Sequence, residues 1–231
     1  MSYSVFAKHY DEAMGDMSGK IAFLQDVLST HAPNAKSVLE FASGTGTILE
    51  GLSASYSVAG VELSPEMLAI ARSKLPAADM HLGDMTMYAF DTKFDIVLCV
   101  YDSINHLLEW SDWLKLFHNA HRHLNEGGVF VFDINTIVRL RWLASQSHEF
   151  EPSAEALSIN IIENDGIFDW EIAISTDTHD MQRETIRETS FPISQIQENL
   201  KPLFTIEAVI DAKGLPKDNP NWRPFFVCRK N

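Results

Sequence analysis

Ten residues, Val38-Leu39-Glu40-Phe41-Ala42-Ser43-Gly44-Thr45-Gly46-Thr47, restrict what this chain can fold into more than any other stretch. An apolar run that reads as a buried strand meets a small, glycine-bearing turn, and Ile48, Leu49 and Leu52 come next at helical spacing. The pattern predicts strand, tight turn, helix. Gly44 and Gly46 lack a Cβ and can take φ > 0, so the backbone of such a turn can approach a flat or charged ligand closely. The helix N-terminus adds unpaired N–H groups. Ala42 occupies the place of the first glycine in a full G-x-G-x-x-G fingerprint, so the turn alone is also compatible with a plain connection.

Further along the chain the theme repeats. Tyr56 to Glu62 reads as a second strand that ends on a carboxylate, at the distance a βαβ unit needs to bring an acidic side chain to the next strand's carboxyl end. Ser64-Pro65-Glu66 then opens a helix with a capping serine, proline at the first position and an acid facing the dipole. A short third strand, Asp79 to Leu82, runs into Gly83-Asp84-Met85, and a fourth, Phe94 to Val100, is almost continuously apolar, as a central parallel strand should be. It empties into Tyr101-Asp102-Ser103-Ile104-Asn105-His106. Ser111 is the expected cap of a further helix, striped by Trp113, Leu114, Phe117, Ala120 and Leu124 and ended by Gly127-Gly128, before a fifth strand from Val129 to Asp133. Five βα units in succession predict an α/β fold with an open parallel sheet and helices on both faces.

The flanks read differently. Residues 3–31 have helical periodicity, with Gly15 and Gly19 expected to break it, and Pro33-Asn34 closes the segment. From Asn135 the pattern turns to a short helix, then alternating runs joined at Asn164-Asp165-Gly166, a strong hairpin signal, with a third strand expected over 180–191. We read 135–192 as a small antiparallel insertion standing over the sheet's carboxyl edge. Ser194-Gln195-Ile196-Gln197 has capping-box spacing for a last helix. Phe204 to Asp211 and Arg223 to Arg229 close the sheet as a terminal pair, with Pro224 placing the last strand near an edge.

Composition narrows the partners. With 18 Lys+Arg against 32 Asp+Glu the formal net charge is −14, which repels phosphate backbones and anionic lipid surfaces, so a nucleic-acid substrate is not expected. The start, Met1-Ser2-Tyr3-Ser4, has no basic segment leading into an apolar one, and no run is long enough to span a membrane, which gives a cytoplasmic expectation. Cys99 and Cys228 sit in apolar, strand-like runs and are expected to be buried thiols.

Taken together, LEFASGTG, VAGVELSPEML, LGDM, FDIVLCVYDSINHL and LNEGGVFVFDI, in this order and spacing, resemble the class I S-adenosylmethionine-dependent methyltransferases. The layout is similar to the small bacterial enzymes with an antiparallel insertion after the fifth strand, the glycine N-methyltransferase-like branch; FAKHYDEAM and RPFFVCRK extend the likeness to nearly the whole chain. The resemblance implies a Rossmann-like, doubly wound, mostly parallel seven-stranded sheet with an antiparallel terminal strand. It implies a cofactor-binding domain over 1–134 and 193–231, with 135–192 as an inserted lid. It also implies S-adenosylmethionine as cofactor, with Glu40, Ala42, Gly44 and Gly46 around the methionine moiety and Glu62 on the ribose hydroxyls. Leu63 would lie beside the adenine, Asp84 on its amino group and Met85 near the ring, with Tyr10 covering the cofactor and Val100 beside it. Ala42 departs from the family's usual glycine, and alanine should fit there if its φ is negative. The arginine that glycine-type enzymes carry after strand five is absent, and Arg139 or Arg141 are the available substitutes.

For the acceptor, His106 and Asp102 are the candidates for substrate contact or proton removal, because they follow the central strand at the end where α/β sheets bind ligands. The residues alone also allow His106 to cap or face the core and Asp102 to form a turn. Ser103 and Asn105 either orient the cofactor or satisfy the backbone. His118, His121 and His123 show no third ligand at suitable spacing, so they are expected to face solvent and no metal is expected. Trp142 and Trp170 either line an acceptor pocket or pack within the insertion. The resulting expectation is methyl transfer to nitrogen or oxygen of a small molecule by a monomer or homodimer. A non-catalytic S-adenosylmethionine binder and a nicotinamide oxidoreductase are the rivals.

Overall fold

A computed structural model describes residues 3–146, 148–150, 156–175 and 181–231; the expected insertion and its third strand extend over 147, 151–155 and 176–180, which lie outside the described residues, as do Met1 and Ser2 of the N-terminal reading. After a 3₁₀ turn at Phe6–Lys8, the chain forms α1 (Tyr10–Met14) and α2 (Ser18–His31). Gly15, at φ 63°, ends α1, whereas Gly19 sits inside α2 and breaks nothing. The alternating units are β1 (Ser37–Phe41), α3 (Thr47–Leu52), β2 (Ser57–Glu62), α4 (Pro65–Lys74), β3 (Asp79–Leu82), β4 (Phe94–Cys99), a 3₁₀ turn at Ser103–His106, α5 (Trp110–His123) and β5 (Leu124–Asp133).

Four details differ from the sequence reading, each for a local reason. No helix follows β3; residues 83–93 form a loop that folds onto α5. The helix α5 begins at Trp110 with Ser111 in its first turn and no side-chain cap, and it ends at His123, so Gly127 and Gly128 fall within β5. The last helix, α7 (Ile193–Leu200), likewise starts after Pro192 without a side-chain cap, leaving Ser194 in the first turn. Finally β11 (Pro224–Lys230) is an interior strand between β5 and β10 (Phe204–Asp211), which is the edge. Pro224 is tolerated there because it is the strand's first residue.

The seven-stranded sheet has the order β10-β11-β5-β4-β1-β2-β3, with β1 to β5 parallel and β11 antiparallel to both neighbours. The order reverses between β1 and β4, and ligands of such sheets bind in the crevice outside the carboxyl ends at that point. Period-two alternation divides the core into two layers. Leu39, Phe41, Val97, Cys99, Phe130 and Phe132 face α5 and α7. Val38, Ile96, Leu98, Val129 and Val131 face α2, α3 and α4. Cys99 and Cys228 are both buried free thiols.

Between β5 and α7 the chain forms α6 (Ile137–Ala144) and a second, antiparallel sheet of four strands, β6 (His148–Phe150), β7 (Ala156–Asn164), β8 (Ile167–Ser175) and β9 (Met181–Thr189). Asp165 and Gly166, at φ 49° and 80°, make the two-residue turn of its β7–β8 hairpin, as Asp-Gly dictates. The N-terminal segment packs on this sheet: Phe6 joins Leu157, Ile172, Ile174 and Ile186, and the Glu184 carboxylate accepts Ser4 N–H and Phe6 N–H at 3.0 and 3.1 Å.

The β5–β11 seam is aromatic, with Phe132 and Phe226 stacked at 4.8 Å between centroids and Phe130 against Phe132 at 4.9 Å. Phe132→Ala removes a fully buried ring from this stack, and we expect a loss of about 3–5 kcal/mol. Urea unfolding checks it: the midpoint should fall with an unchanged m-value.

Candidate active site

A cavity of about 580 Å³ opens at the carboxyl ends of the strands, roofed by the N-terminal segment and the second sheet. Its floor at one end is the turn after β1. Ala42, Gly44 and Gly46 all have positive φ, at 54°, 55° and 78°. The condition of a negative φ, under which alanine would fit without strain, is therefore not met at Ala42. The turn imposes left-handed backbone on an L-residue, which costs about 1–2 kcal/mol. Gly44 lines the cavity and has open space where a Cβ would be, while Gly46 faces α4, where a Cβ would meet Ala71 Cβ at 3.0 Å. Gly46 thus allows close helix packing and is not part of the wall.

The β2 carboxylate ties this turn to the next strand. Glu62 Oε2 accepts Gly44 N–H and Oε1 accepts Ser64 N–H, each at 2.8 Å. Burial pushes its carboxyl up from the ordinary range, and the N–H groups of Ser64, Gly44 and Leu63 pull it back. Ser64 in turn accepts Met67 N–H, capping α4 as its sequence requires. Leu63 is 49% exposed on the cavity rim.

Asp84 and Met85 form the wall beyond β3. Asp84 Oδ1 accepts both Thr86 N–H and Thr86 Oγ1–H at 2.7 Å, which fixes the turn. The loop itself is held from α5. Asn119 Nδ2 donates to the carbonyls of Met85 and Tyr88 at 2.8 and 3.0 Å, and His123 Nε2 accepts Phe90 N–H at 2.9 Å while Nδ1–H donates to Asn119 O. His118 is exposed and His121 half-buried against Phe204, but His123 is 1% exposed and structural, which corrects the expectation that all three face solvent. Among the described residues no group of three or more His, Cys, Asp or Glu is placed to hold a metal ion.

At the other end of the cavity the chain leaves β4 with Tyr101 and Asp102 at φ 61° and 54°, two consecutive left-handed residues. The fully buried Asp133 carboxylate holds both, accepting Tyr101 N–H at 2.5 Å and Asp102 N–H at 3.2 Å, and it forms an ion pair with Arg223. Asp102 Oδ2 accepts Asn135 Nδ2 at 2.5 Å, and its Oδ1 lies 3.5 Å from Arg223 Nη2. Ser103 lines the cavity with its hydroxyl donated to Val100 O, and Val100 itself is in the core. Asn105 is wholly buried, bonding Asn135 and Thr189, so it satisfies backbone and faces no ligand.

His106 lines the cavity between the N-terminal segment and β9. Its Nδ1 is 3.1 Å from Arg187 O, which only accepts, so Nδ1 carries the proton and Nε2 accepts from Tyr3 OH at 3.1 Å. Burial lowers its pKa against the opposing pull of Asp102 and the Arg187 carbonyl, leaving a neutral imidazole. Tyr10 lies beside it, its ring 6.2 Å from Tyr3 and 5.6 Å from Phe6.

Of the sequence-predicted set, Tyr10, Ala42, Gly44, Glu62, Leu63, Asp84 and Met85 meet in one wall with Ser103, Asp102 and His106. Glu40, Gly46 and Val100 stand behind it. Glu40 is 3% exposed, and its Oε2 accepts no hydrogen bond. Burial, then Glu62, drive its carboxyl well up. Arg139 reaches the cavity while Arg141 lies outside it, paired with Glu163 at 2.8 Å; Trp170 reaches it and Trp142 does not. Tyr3, Lys20, Glu188 and Arg223 complete the wall and were missed, because only tertiary contact brings them there.

The model of the methyltransferase domain family matches residues 38–128, the span from β1 into β5 that carries the turn, Glu62 and Asp84. A dTDP-3-amino-3,4,6-trideoxy-alpha-D-glucopyranose N,N-dimethyltransferase of Streptomyces venezuelae is 34% identical over 119 residues, 51% of this chain and 50% of that one. A dTDP-3-amino-3,6-dideoxy-alpha-D-glucopyranose N,N-dimethyltransferase of Streptomyces fradiae is 36% identical over 51% of this chain and 47% of its own length. The chain thus spans about half the length of these curated relatives in alignment. A crystal structure of an S-adenosylmethionine-dependent methyltransferase from Clostridium acetobutylicum ATCC 824 superposes with a TM-score of 0.87 over 99% of both chains at 23% identity, which shows the shared fold.

Two measurements probe how the chain holds this site. Ala42→Gly should raise stability by about 1 kcal/mol by relieving the left-handed strain, and Ala42→Val should lower it, read from thermal melts. Burial depresses the His123 pKa, so both states are neutral above about 6.5, and below it the unfolded chain binds a proton that the folded chain resists. The His123 contribution to stability should therefore fall as pH drops from 7 to 5, while the buried carboxyls of Glu40 and Glu188, raised by burial, act in the opposite sense. His123→Gln should be less stable at pH 7, and its deficit relative to the wild type should shrink toward pH 5, since the other titrating groups are common to both proteins.

Proposed function

We propose that the chain transfers a methyl group from S-adenosylmethionine to a nitrogen of a small-molecule acceptor, with the second sheet acting as the acceptor lid. One observation carries the reading: a single cavity has Glu62, Asp84 and the Gly44 turn at one end and Asp102 and His106 at the other. The first end suits an adenosine. A carboxylate is an acceptor matched to a vicinal diol, and a second one to an exocyclic amine. Glu62 uses one hydrogen bond per oxygen on backbone N–H groups, which leaves lone pairs for two hydroxyls. The orphaned, buried Glu40 Oε2 behind the turn fits the cationic amino-acid end of the same molecule. The nitrogen assignment draws on the sugar N,N-dimethyltransferases that align with half of this chain.

When bound, S-adenosylmethionine supplies a methyl group on positively charged sulfur, already activated for in-line displacement. The protein's part is then proximity, orientation and proton removal. The turn and Glu62 fix one partner, and the walls from Phe6, Trp170, Ile172 and Ile186 exclude water around the other. His106 is neutral at pH 7, its Nε2 shared with Tyr3 OH, and is placed to accept a proton once that hydroxyl turns to a ligand.

Calorimetry tests the reading. S-adenosylhomocysteine should bind with a dissociation constant well below millimolar, and NAD should not bind. Glu62→Ala removes two charge-assisted hydrogen bonds to the ribose, about 3 kcal/mol, so affinity should fall roughly 100-fold. Release of S-adenosylhomocysteine from S-adenosylmethionine in the presence of amine acceptors checks turnover. Binding of NAD in preference, or no binding of S-adenosylhomocysteine, contradicts the proposal.

A further inference from the structure

The wall where the chain leaves β4 carries a cation to which the reading so far gives no task. Lys20, in the first turn of α2, lines the cavity half-buried, and among the described residues its ammonium has one hydrogen bond, to Met17 Sδ at 3.2 Å, and no ion pair. Its Nζ stands 5.2 Å from the centroid of the Tyr101 ring, and Arg223 Cζ stands 5.3 Å from the same centroid. Two cations thus share one ring, on a residue held at φ 61°. Arg223 Nη2 is buried and hydrogen-bonded to nothing among the described residues; it lies 3.5 Å from Asp102 Oδ1, outside hydrogen-bonding geometry.

We propose that Lys20 and Arg223 Nη2 form a subsite for one carboxylate of a bound substrate, seated beside the Tyr101 ring. This rests on the methyl-transfer reading and adds an anionic group to what the cavity recognises. The charge balance fits a monoanion. Lys20, Lys213, Arg139 and Arg223 line this end, against Asp102 and Asp211 on the wall and Asp133 behind it. Arg223 pairs with Asp133, Asp102 acts on both Arg223 and Arg139, and Asp211 offsets Lys213, whose N–H its Oδ1 accepts at 2.8 Å. Glu188 adds no charge, because burial and then Asp102 hold it protonated, and Tyr3, Tyr10, Tyr101 and His106 are neutral. One positive charge is left over, and it resides on Lys20. Burial, and then the Arg223 charge, loosen the hold of Lys20 on its proton, so an anion between the two relieves a repulsion already present.

Two molecules can bring that carboxylate. S-adenosylmethionine carries one on the carbon that bears its amine, and Tyr10 and Tyr101 both lie within the electrostatic reach of Glu40, which suits the amine, and of Arg223. An acceptor acid brings its own, and Phe23 and Phe225, 5.0 Å apart between ring centroids on the same wall, offer packing to its carbon frame. The recognition is the same in both cases: an ammonium and a guanidinium N–H donate to the oxygens of one carboxylate.

The test is calorimetry on the full chain with two pairs of probes, each pair differing by one carboxylate. The first pair is S-adenosylhomocysteine and its decarboxylated form, which keeps the amine. The second is phenylacetate and neutral phenylacetamide, added to the chain saturated with S-adenosylhomocysteine. A charge-assisted contact of this kind is worth about tenfold or more in affinity. If the cofactor fills the subsite, S-adenosylhomocysteine binds at least tenfold more tightly than its decarboxylated form, and Lys20→Met cuts that ratio below threefold while the decarboxylated form stays within twofold. If an acceptor fills it, the first ratio is near one and phenylacetate binds at least tenfold more tightly than phenylacetamide, a preference that Lys20→Met also cuts below threefold. Lys20→Arg, which keeps the charge, should retain the wild-type preference, and Lys20→Gln gives the same comparison should the methionine variant not fold. Arg223 is left intact because Asp133 depends on it. A ratio below tenfold in both arms, or one that stays above threefold without the lysine, overturns the subsite. Failure of the wild type to bind either form of S-adenosylhomocysteine overturns instead the methyl-transfer reading beneath it.

Discussion

The two hydrogen bonds from Gly44 N–H and Ser64 N–H to the Glu62 carboxylate are the constraint on which the site depends. Through them the turn after β1 and the start of α4 are fixed to the end of β2, so the left-handed path from Ala42 to Gly46 has one shape. That path leaves a hollow beside Gly44 in place of side-chain volume, and it keeps the Glu62 carboxylate at the hollow's edge. A carboxylate in this position is stabilised by N–H groups the turn would otherwise leave unpaired, and burial of that kind is tolerable only with such partners.

A second constraint acts at the far end. Asp133 receives the N–H groups of two strained residues and the Arg223 guanidinium, and in doing so aims Asp102 at the cavity. Strain of this kind persists where surrounding structure over-determines it, and it gathers at functional sites. Between the two ends the roof is built jointly by residues 3–10 and the second sheet, with Glu184 and Phe6 as the joint. Access to the cavity from this side therefore depends on the contact of Ser4 and Phe6 with the second sheet.

Much of the frame was legible because it is encoded locally. Ser64-Pro65-Glu66, the apolar run of β4 and the Asp165-Gly166 hairpin each specify their own backbone. Glu62 was legible for the same reason, being the residue at which a buried strand stops, and Asp84 was legible from its place just after the short strand β3. What could not be read is set by contacts distant in sequence. The φ of Ala42 is dictated by the turn's closure on Glu62, and no property of alanine signals it. His123 and Asn119 look like the polar face of a helix until the loop carrying Asp84 is laid upon them. Arg223 and Asp133 are 90 positions apart, and Glu188 lies in a strand whose alternation is weak; each enters the site through the sheet order alone. The placement of β11 inside the sheet belongs to the same class, since Pro224 is equally at home on an edge.

The most direct measurement is a crystal structure of the full chain grown with S-adenosylhomocysteine. The account predicts both ribose hydroxyls within hydrogen-bond reach of Glu62, the adenine between Leu63 and Met85 with its amino group at Asp84, and the sulfur turned toward His106 and Asp102. A nucleoside seated elsewhere, or one whose ribose is bound without Glu62, would contradict it.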